Sequence, residues 1–272
     1  MKISCSSQSL DRQFLNKKMD LPGFIRYASR TLGIPCIEIE DKHFASTTPQ
    51  YIASIRAEVE SNRLAVANLA FFCSFGYPTE AQNDAELARA VEWMGVARSI
   101  GSPNFRIFAG WMGGQDPEIG RKGPAVAKSA AAWDTMIGYV KAACDRAREH
   151  GLNPVIENHN HGGFLSYSEE VLRLFAEVNR DNLTLLLDTG NYVDGLEGIE
   201  KTAHLAKRHV HLKAGVIRED GRDSSYDFDA ILAVLKKNGF DGALSIEYEG
   251  SQDESVCLPR IVAYLRSAGI GT

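Results

Sequence analysis

The chain has 272 residues, 44% hydrophobic and 24% charged, the proportions of a globular protein long enough to bury a large core. Its net charge of −5 supplies no basic excess to neutralise phosphates, so nucleic acid is not expected as a partner. No run approaches the roughly 20 apolar residues that span a bilayer, no signal peptide opens the chain, and the scattered Cys5, Cys36, Cys73, Cys144 and Cys257 form no CxxC pair, so a cytoplasmic protein with free, mostly buried thiols and no membrane partner is predicted.

Short apolar runs alternate with longer helical patterns. Lys2–Ser6 reads as a first strand. Asp20 then caps a helix with Pro22 in its first turn, running to Leu32 and stopping at Gly33. Pro35–Glu40 is a second strand of period two, Pro49–Asn62 a helix, and Leu64–Phe72 a third strand. Asp84–Ile100 is strongly helical and closes at Gly101. Asn104–Ala109 is the fourth strand, and 125–150 contains a long helix ending at Gly151. Asn153–Asn158 and Leu183–Asp188 are the fifth and sixth strands, followed by helices over Ser168–Val178 and, more weakly, Gly195–Lys207. His209–Lys213 and its helix Phe228–Asn238 precede the last strand, Ala243–Glu247, and the closing helix Asp253–Ala268.

Eight strand–helix units in strict alternation require parallel strands, and eight such units close into a barrel. The predicted fold is α/β, a (β/α)8 TIM barrel forming a single domain over 1–272. The competing open, doubly wound sheet is disfavoured, since no GxGxxG follows the first strand and no GxxxxGK[ST] occurs.

In barrel enzymes the chemistry sits at the carboxyl ends of the strands. The polar residues ending these strands are Glu38, Arg106, Glu157, Asp188, His211, Lys213 and Glu247. Taken singly, an ion pair at the rim accounts for any of them. Taken together, strands five to eight are neighbours and end in Glu157, Asp188, His211 and Glu247. Three carboxylates facing one cavity repel unless a cation neutralises them. Three oxygens and one imidazole nitrogen suit Mn²⁺, Mg²⁺, Co²⁺ or Zn²⁺, with positions left open for substrate oxygens.

At these residues the sequence resembles the xylose isomerase-like barrel superfamily of sugar phosphate isomerases and epimerases. The resemblance runs the length of the chain and is strongest in PVIENHNH (154–161), LLLDTGNY (185–192), HVHLKAG (209–215) and GALSIEYEG (242–250), with FRIFAGW (105–111) as a further match. In the ketose 3-epimerase branch it implies that Glu157, Asp188, His211 and Glu247 hold a divalent metal, Mn²⁺ foremost. It also implies that Glu157 and Glu247 are the catalytic acid/base pair acting through a metal-bound enediolate. The implied partner is a sugar or polyol, and related barrels often pair as homo-oligomers through their outer surfaces. Inosose and dehydroshikimate dehydratases and C-glycoside-cleaving enzymes share the scaffold, as does a DNA-repair endonuclease that the acidic charge and sparse histidines disfavour.

Two departures stand out. Asn191 occupies the fourth place of a motif that commonly reads DxxH, and Ile217 and Arg218 lie where that epimerase branch carries an arginine. The expected substrate contacts are His159, Lys213, Asn191, Glu38, Arg106 and Trp111, with an ion pair between Glu38 and Arg106 as the alternative for those two. Asn158 and His161 are candidates for orienting hydrogen bonds, Phe71, Phe72, Phe75 and Tyr77 for an aromatic wall or core packing, and the glycine-rich 111–124 for a lid. His43, His150, His204 and His209 are read as surface or packing residues.

Overall fold

The computed structural model describes residues 1–112, 129–159 and 162–271. Eight parallel strands close a barrel in chain order: β1 (Lys2–Ser6), β2 (Cys36–Glu40), β3 (Ala65–Ala70), β4 (Asn104–Phe108), β5 (Asn153–Glu157), β6 (Thr184–Asp188), β7 (His209–Ala214) and β8 (Ala243–Tyr248). Closure is made by β8 against β1, with Ile3 opposite Leu244 and Cys5 opposite Ile246. The helices are α1 (Asp11–Leu15), α2 (Leu21–Tyr27), α3 (Pro49–Ser61), α4 (Glu80–Ser99), α5 (Ala130–Glu149), α6 (Ser168–Val178), α7 (Gly195–Thr202), α8 (Phe228–Lys237) and α9 (Glu254–Ser267). The predicted barrel is therefore the observed one. Among the described residues no helix is long and apolar enough to cross a membrane, and all five cysteines are buried and free.

The helices form where an apolar stripe and a cap coincide. In α5 the buried face is Trp133, Met136, Ile137, Val140, Ala143, Cys144 and Ala147, spaced three or four apart, and Ser129 caps the helix by accepting from the Ala132 amide. Several boundaries differ from expectation. The helix predicted from Asp84 begins at Glu80, because the Thr79 hydroxyl accepts from the Gln82 amide and starts the helix one turn earlier. The weak pattern over 195–207 is α-helical only to Thr202 and ends in a 3-10 turn, Ala203–Leu205. A 3-10 turn, Ser7–Leu10, and α1 follow β1 directly, where no helix was expected.

Two cores result. The outward sides of the strands bury Ile37, Ile39, Ile107, Ile156, Leu185, Leu187, Val210, Leu212 and Ile246 beneath the helices. The barrel interior, which branched apolar side chains usually fill, here buries Ser4, Glu38, Asn68, Arg106, His209, His211 and Ser245. Period two along each strand sends the aliphatic residues outward and these polar residues inward.

Candidate metal centre

Register brings the predicted quartet together. Asp188 lies opposite His211 across β6 and β7, and Lys213 lies opposite Glu247 across β7 and β8. One ligand atom each from Glu157, Asp188, His211 and Glu247 lies within 4.8 Å of the others, and all four residues are buried. His211 Nδ1 is 3.6 Å from Glu157 Oε1, 3.6 Å from Asp188 Oδ2 and 3.3 Å from Glu247 Oε1.

Hydrogen bonds fix the backbone around this cluster. The Asn158 side chain accepts from the Asp188 amide at 2.8 Å and donates to the Asp188 carbonyl at 3.0 Å, extending the β5–β6 ladder by one step. Asp188 Oδ1 accepts from the Gly190 amide at 2.7 Å. Gly190 itself must be small, since an added Cβ would lie 2.4 Å from Lys213 Cγ. The bare backbone there lets the lysine reach the site.

The charges do not balance. Glu38, Glu40, Glu157, Asp188 and Glu247 are buried inside the barrel against two permanent cations, Arg106 and Lys213, a formal excess of three negative charges with every carboxyl ionised, and burial answers it in part by pushing Glu40 up to about 8 against the pull of Arg106. Charges 4 Å apart interact by about 4 kcal/mol even at an effective dielectric of 20. The titrating groups respond accordingly. Burial alone would lower His211, but Glu247, Glu38 and Glu157 outweigh it and hold it well above the ordinary histidine range. Burial likewise opposes ionisation of Glu247, but His211 and Lys213 reverse this and keep its carboxyl well below the usual range. Asp188 is pushed up to about 7, chiefly by burial, against the pull of Lys213.

A divalent cation fits this arrangement. His211 Nδ1 is buried, makes no hydrogen bond and faces the three carboxylates of the quartet, while Asp188 Oδ2 beside it meets the Lys213 ammonium. The donor set is hard oxygen plus one imidazole, matching the expected divalent ions. A cation bound at Nδ1 would take the place of the proton that the carboxylates otherwise hold there.

Each glutamate of the quartet divides its oxygens. Glu157 turns Oε1 toward His211 and gives Oε2 to Arg106 Nη1 at 3.1 Å. Glu247 turns Oε1 toward His211 and gives Oε2 to Lys213 Nζ. Lys213 Nζ also lies 3.0 Å from Asp188 Oδ2 and 3.1 Å from Glu249 Oε2. Asn191 Nδ2 donates to Glu157 Oε1 at 3.4 Å, so the residue replacing the motif's histidine still reaches the site.

The other expected residues divide. Trp111 and His159 stand beside the site in an aromatic group with Phe72 and Phe108; the Trp111 ring lies 5.5 Å from Phe72, 5.7 Å from Phe108 and 5.2 Å from His159. Arg106 lies over Phe108 at 4.5 Å. Phe71 and Phe75 are fully buried and belong to the core. The expected Glu38–Arg106 pair is corrected. Arg106 forks onto Glu40 at 2.9 and 3.1 Å, while Glu38 faces His211 at 2.8 Å, because Glu40 lies two residues nearer the strand's carboxyl end. His209, read as a surface or packing residue, is fully buried within the barrel and pairs with Glu38. Arg218 is exposed and pairs with Asp220 at 3.5 Å, away from the quartet. His161 and the part of the expected lid from 113 onward lie outside the described residues.

Glu40 and Glu249 were missed by sequence reasoning. The signal was present, since each lies two residues beyond a glutamate already singled out, Glu38 or Glu247, and so shares its face.

Comparison with known proteins places the fold. Inosose dehydratase of Geobacillus thermodenitrificans is 30% identical over 154 residues, covering 47% of this chain and 50% of that protein. Inosose dehydratase of a Clostridium botulinum strain is 28% identical over 153 residues, with the same coverage. The chain thus matches about half the length of these curated relatives. Among solved structures, a D-psicose 3-epimerase determined with D-fructose superposes with a TM-score of 0.78 over 100% of both chains at 15% identity. A probable 3-DHS dehydratase from Bacillus anthracis gives 0.71 over 96% of this chain and 97% of that one at 13% identity. At such identities the likeness is one of fold. The family model described as the xylose isomerase-like TIM barrel matches residues 26–268, and the chain belongs to that family.

Proposed function

We propose that this protein is a divalent-metal-dependent sugar isomerase or epimerase that moves a proton at the carbon beside a carbonyl of a ketose, aldose or polyol derivative. The observation that carries this reading is the convergence of Glu157, Asp188, His211 and Glu247, all buried with one ligand atom each within 4.8 Å of the others, around a His211 Nδ1 that makes no hydrogen bond. A bound cation, Mn²⁺ first among Mg²⁺, Co²⁺ and Zn²⁺, supplies Lewis-acid polarisation of the carbonyl and so acidifies the neighbouring C–H.

The side chains do the rest. Glu157, Asp188, His211 and Glu247 hold the cation, and Glu157 and Glu247 form the acid/base pair. Arg106 and Lys213 grip the far oxygen of each glutamate and fix the carboxylates in place. One glutamate removes the proton, and the other returns it from the opposite face for epimerisation. Asn191 donates a hydrogen bond to a substrate hydroxyl but carries no proton of its own. Trp111 and His159, with Phe72 and Phe108, cover the C–H face of the sugar and exclude water.

A lyase is the second reading, with loss of a β-hydroxyl after the same first step. Lys213 is the observation in its favour, because its ammonium lies beside Glu247 within the site, where it can stabilise the oxygen of a departing hydroxyl while a glutamate returns to that oxygen the proton it took from carbon. The inosose dehydratases among the relatives support it too. Incubating the Mn²⁺-loaded protein with a panel of keto-sugars and inososes separates the two. An isomerase or epimerase gives products of unchanged mass, whereas a dehydratase gives a product lighter by one water with new ultraviolet absorbance. No turnover of any carbonyl sugar or polyol would reject both.

A further inference from the structure

Beneath the quartet the barrel floor holds polar groups that the proposed reaction does not use. Glu38, Asn68 and His209 are these groups, each fully buried, as is His211 of the quartet. Glu38 Oε1 lies 2.8 Å from His211 Nε2. Its Oε2 accepts from Asn68 Nδ2 at 3.0 Å and pairs with His209 Nε2. Neither Asn68 nor His209 belongs to the quartet.

Such a network is a poor choice for stability alone. Apolar side chains of similar volume commonly replace a buried ion network at no cost or with a gain. The network does settle one thing that apolar packing would not. Turning the His211 ring by half a turn exchanges Nδ1 for a carbon at the face toward Glu157, Asp188 and Glu247. Holding Nε2 against a carboxylate forbids that turn and leaves Nδ1 as the ligand. The β2 strand supplies the carboxylate because Glu38 lies one inward position below Glu40, whose carboxylate goes to Arg106 instead.

We infer that Glu38 is a positioning residue for the cation site, holding His211 by Nε2 so that Nδ1 faces the carboxylates, while His209 and Asn68 clamp its other oxygen. The inference rests on the proposed metal dependence. Metal-stripped full-length protein titrated with Mn²⁺ by calorimetry tests it, with Glu38→Gln and the apolar-floor double variant Glu38→Leu/His209→Leu beside the wild type. The wild type is expected to take up one Mn²⁺ per chain, and both variants to bind it about 10- to 100-fold more weakly. The metal-free double variant is expected to melt at or above the wild type. With saturating Co²⁺, the visible bands that report ligand geometry should shift in Glu38→Gln. Wild-type Mn²⁺ affinity in both variants, or both melting far below the wild type before metal is added, makes the network structural and overturns the inference. Two Mn²⁺ per wild-type chain would make Glu38, His209 and His211 a second metal site and overturn it also. A wild type that binds no divalent ion refutes the metal dependence itself, an outcome distinct from unchanged variants.

Discussion

Asp188→Asn turns the charge excess into a measurable trade between stability and metal binding. In the metal-free protein the Asp188 carboxyl is pushed from its ordinary 3.8 up to about 7, chiefly by burial. That displacement corresponds to roughly 4 kcal/mol of opposition to folding once the group is ionised in both states. Below pH 3.8 both states hold the proton and there is no opposition. Between 3.8 and about 7 the unfolded chain releases it while the folded chain retains it, so stability falls as pH rises, and above about 7 the full cost is present. Asparagine removes the charge but leaves a buried amide imperfectly bonded, which costs about 1–3 kcal/mol. The expected net gain at pH 8 is therefore on the order of 1–3 kcal/mol, or roughly 2–10 °C in melting temperature. Lys213 keeps Glu247 and Glu249 in the variant, so no cation is stranded. Thermal melting in EDTA at pH 4, 6 and 8 should show the gap opening as pH rises. Excess Mn²⁺ should reverse the order, because only the wild type gains stability from bound metal. A variant less stable than the wild type in EDTA at pH 8, with a gap indifferent to pH and to Mn²⁺, would show that Asp188 carries no costly buried charge.

Glu157→Gln and Glu247→Gln should each lower turnover by about 10²–10⁴-fold, the usual worth of a positioned acid or base, with circular dichroism unchanged; wild-type rates in either variant would end its assignment. Gly190→Ala places a Cβ 2.4 Å from Lys213 Cγ, so it should displace the lysine and depress activity, and a crystal structure with Lys213 unmoved would contradict that account. Lys213→Met leaves Asp188 and Glu247 without their cation and should cost about 3–5 kcal/mol of metal-free stability, read by urea unfolding; an unchanged midpoint would show the pairing to be worth little.

The fold was legible because its signal is redundant. Eight apolar runs separated by helical patterns leave few alternatives to a closed parallel barrel, and glycines at helix ends such as Gly33 marked the stops. The quartet was legible because Glu157 and Asp188 end their strands, while His211 and Glu247 lie on the inward face toward the carboxyl halves of theirs, and these faces converge. What the sequence hid was pairing inside the barrel. Period two puts Glu38 and Glu40 on one face but does not say which height Arg106 reaches, and the answer depends on a register shift between Ile37 and Glu38 against β3. His209 looked like an ordinary packing residue because its partner, Glu38, lies 171 positions away. The early start of α4 was hidden in a single threonine cap, Thr79, placed after a proline.

In the proposed reaction Glu157 and Glu247 move a proton beside a carbonyl with the help of a cation held by the quartet. Solvent-deuterium exchange at that carbon, followed by NMR on a panel of keto-sugars and inososes, tests it most directly. Exchange should appear when Mn²⁺ is added to metal-stripped protein, vanish in EDTA, and be lost from one of the two epimers in each of Glu157→Gln and Glu247→Gln. Exchange that persists in EDTA, or from both epimers in both glutamine variants, would contradict the account.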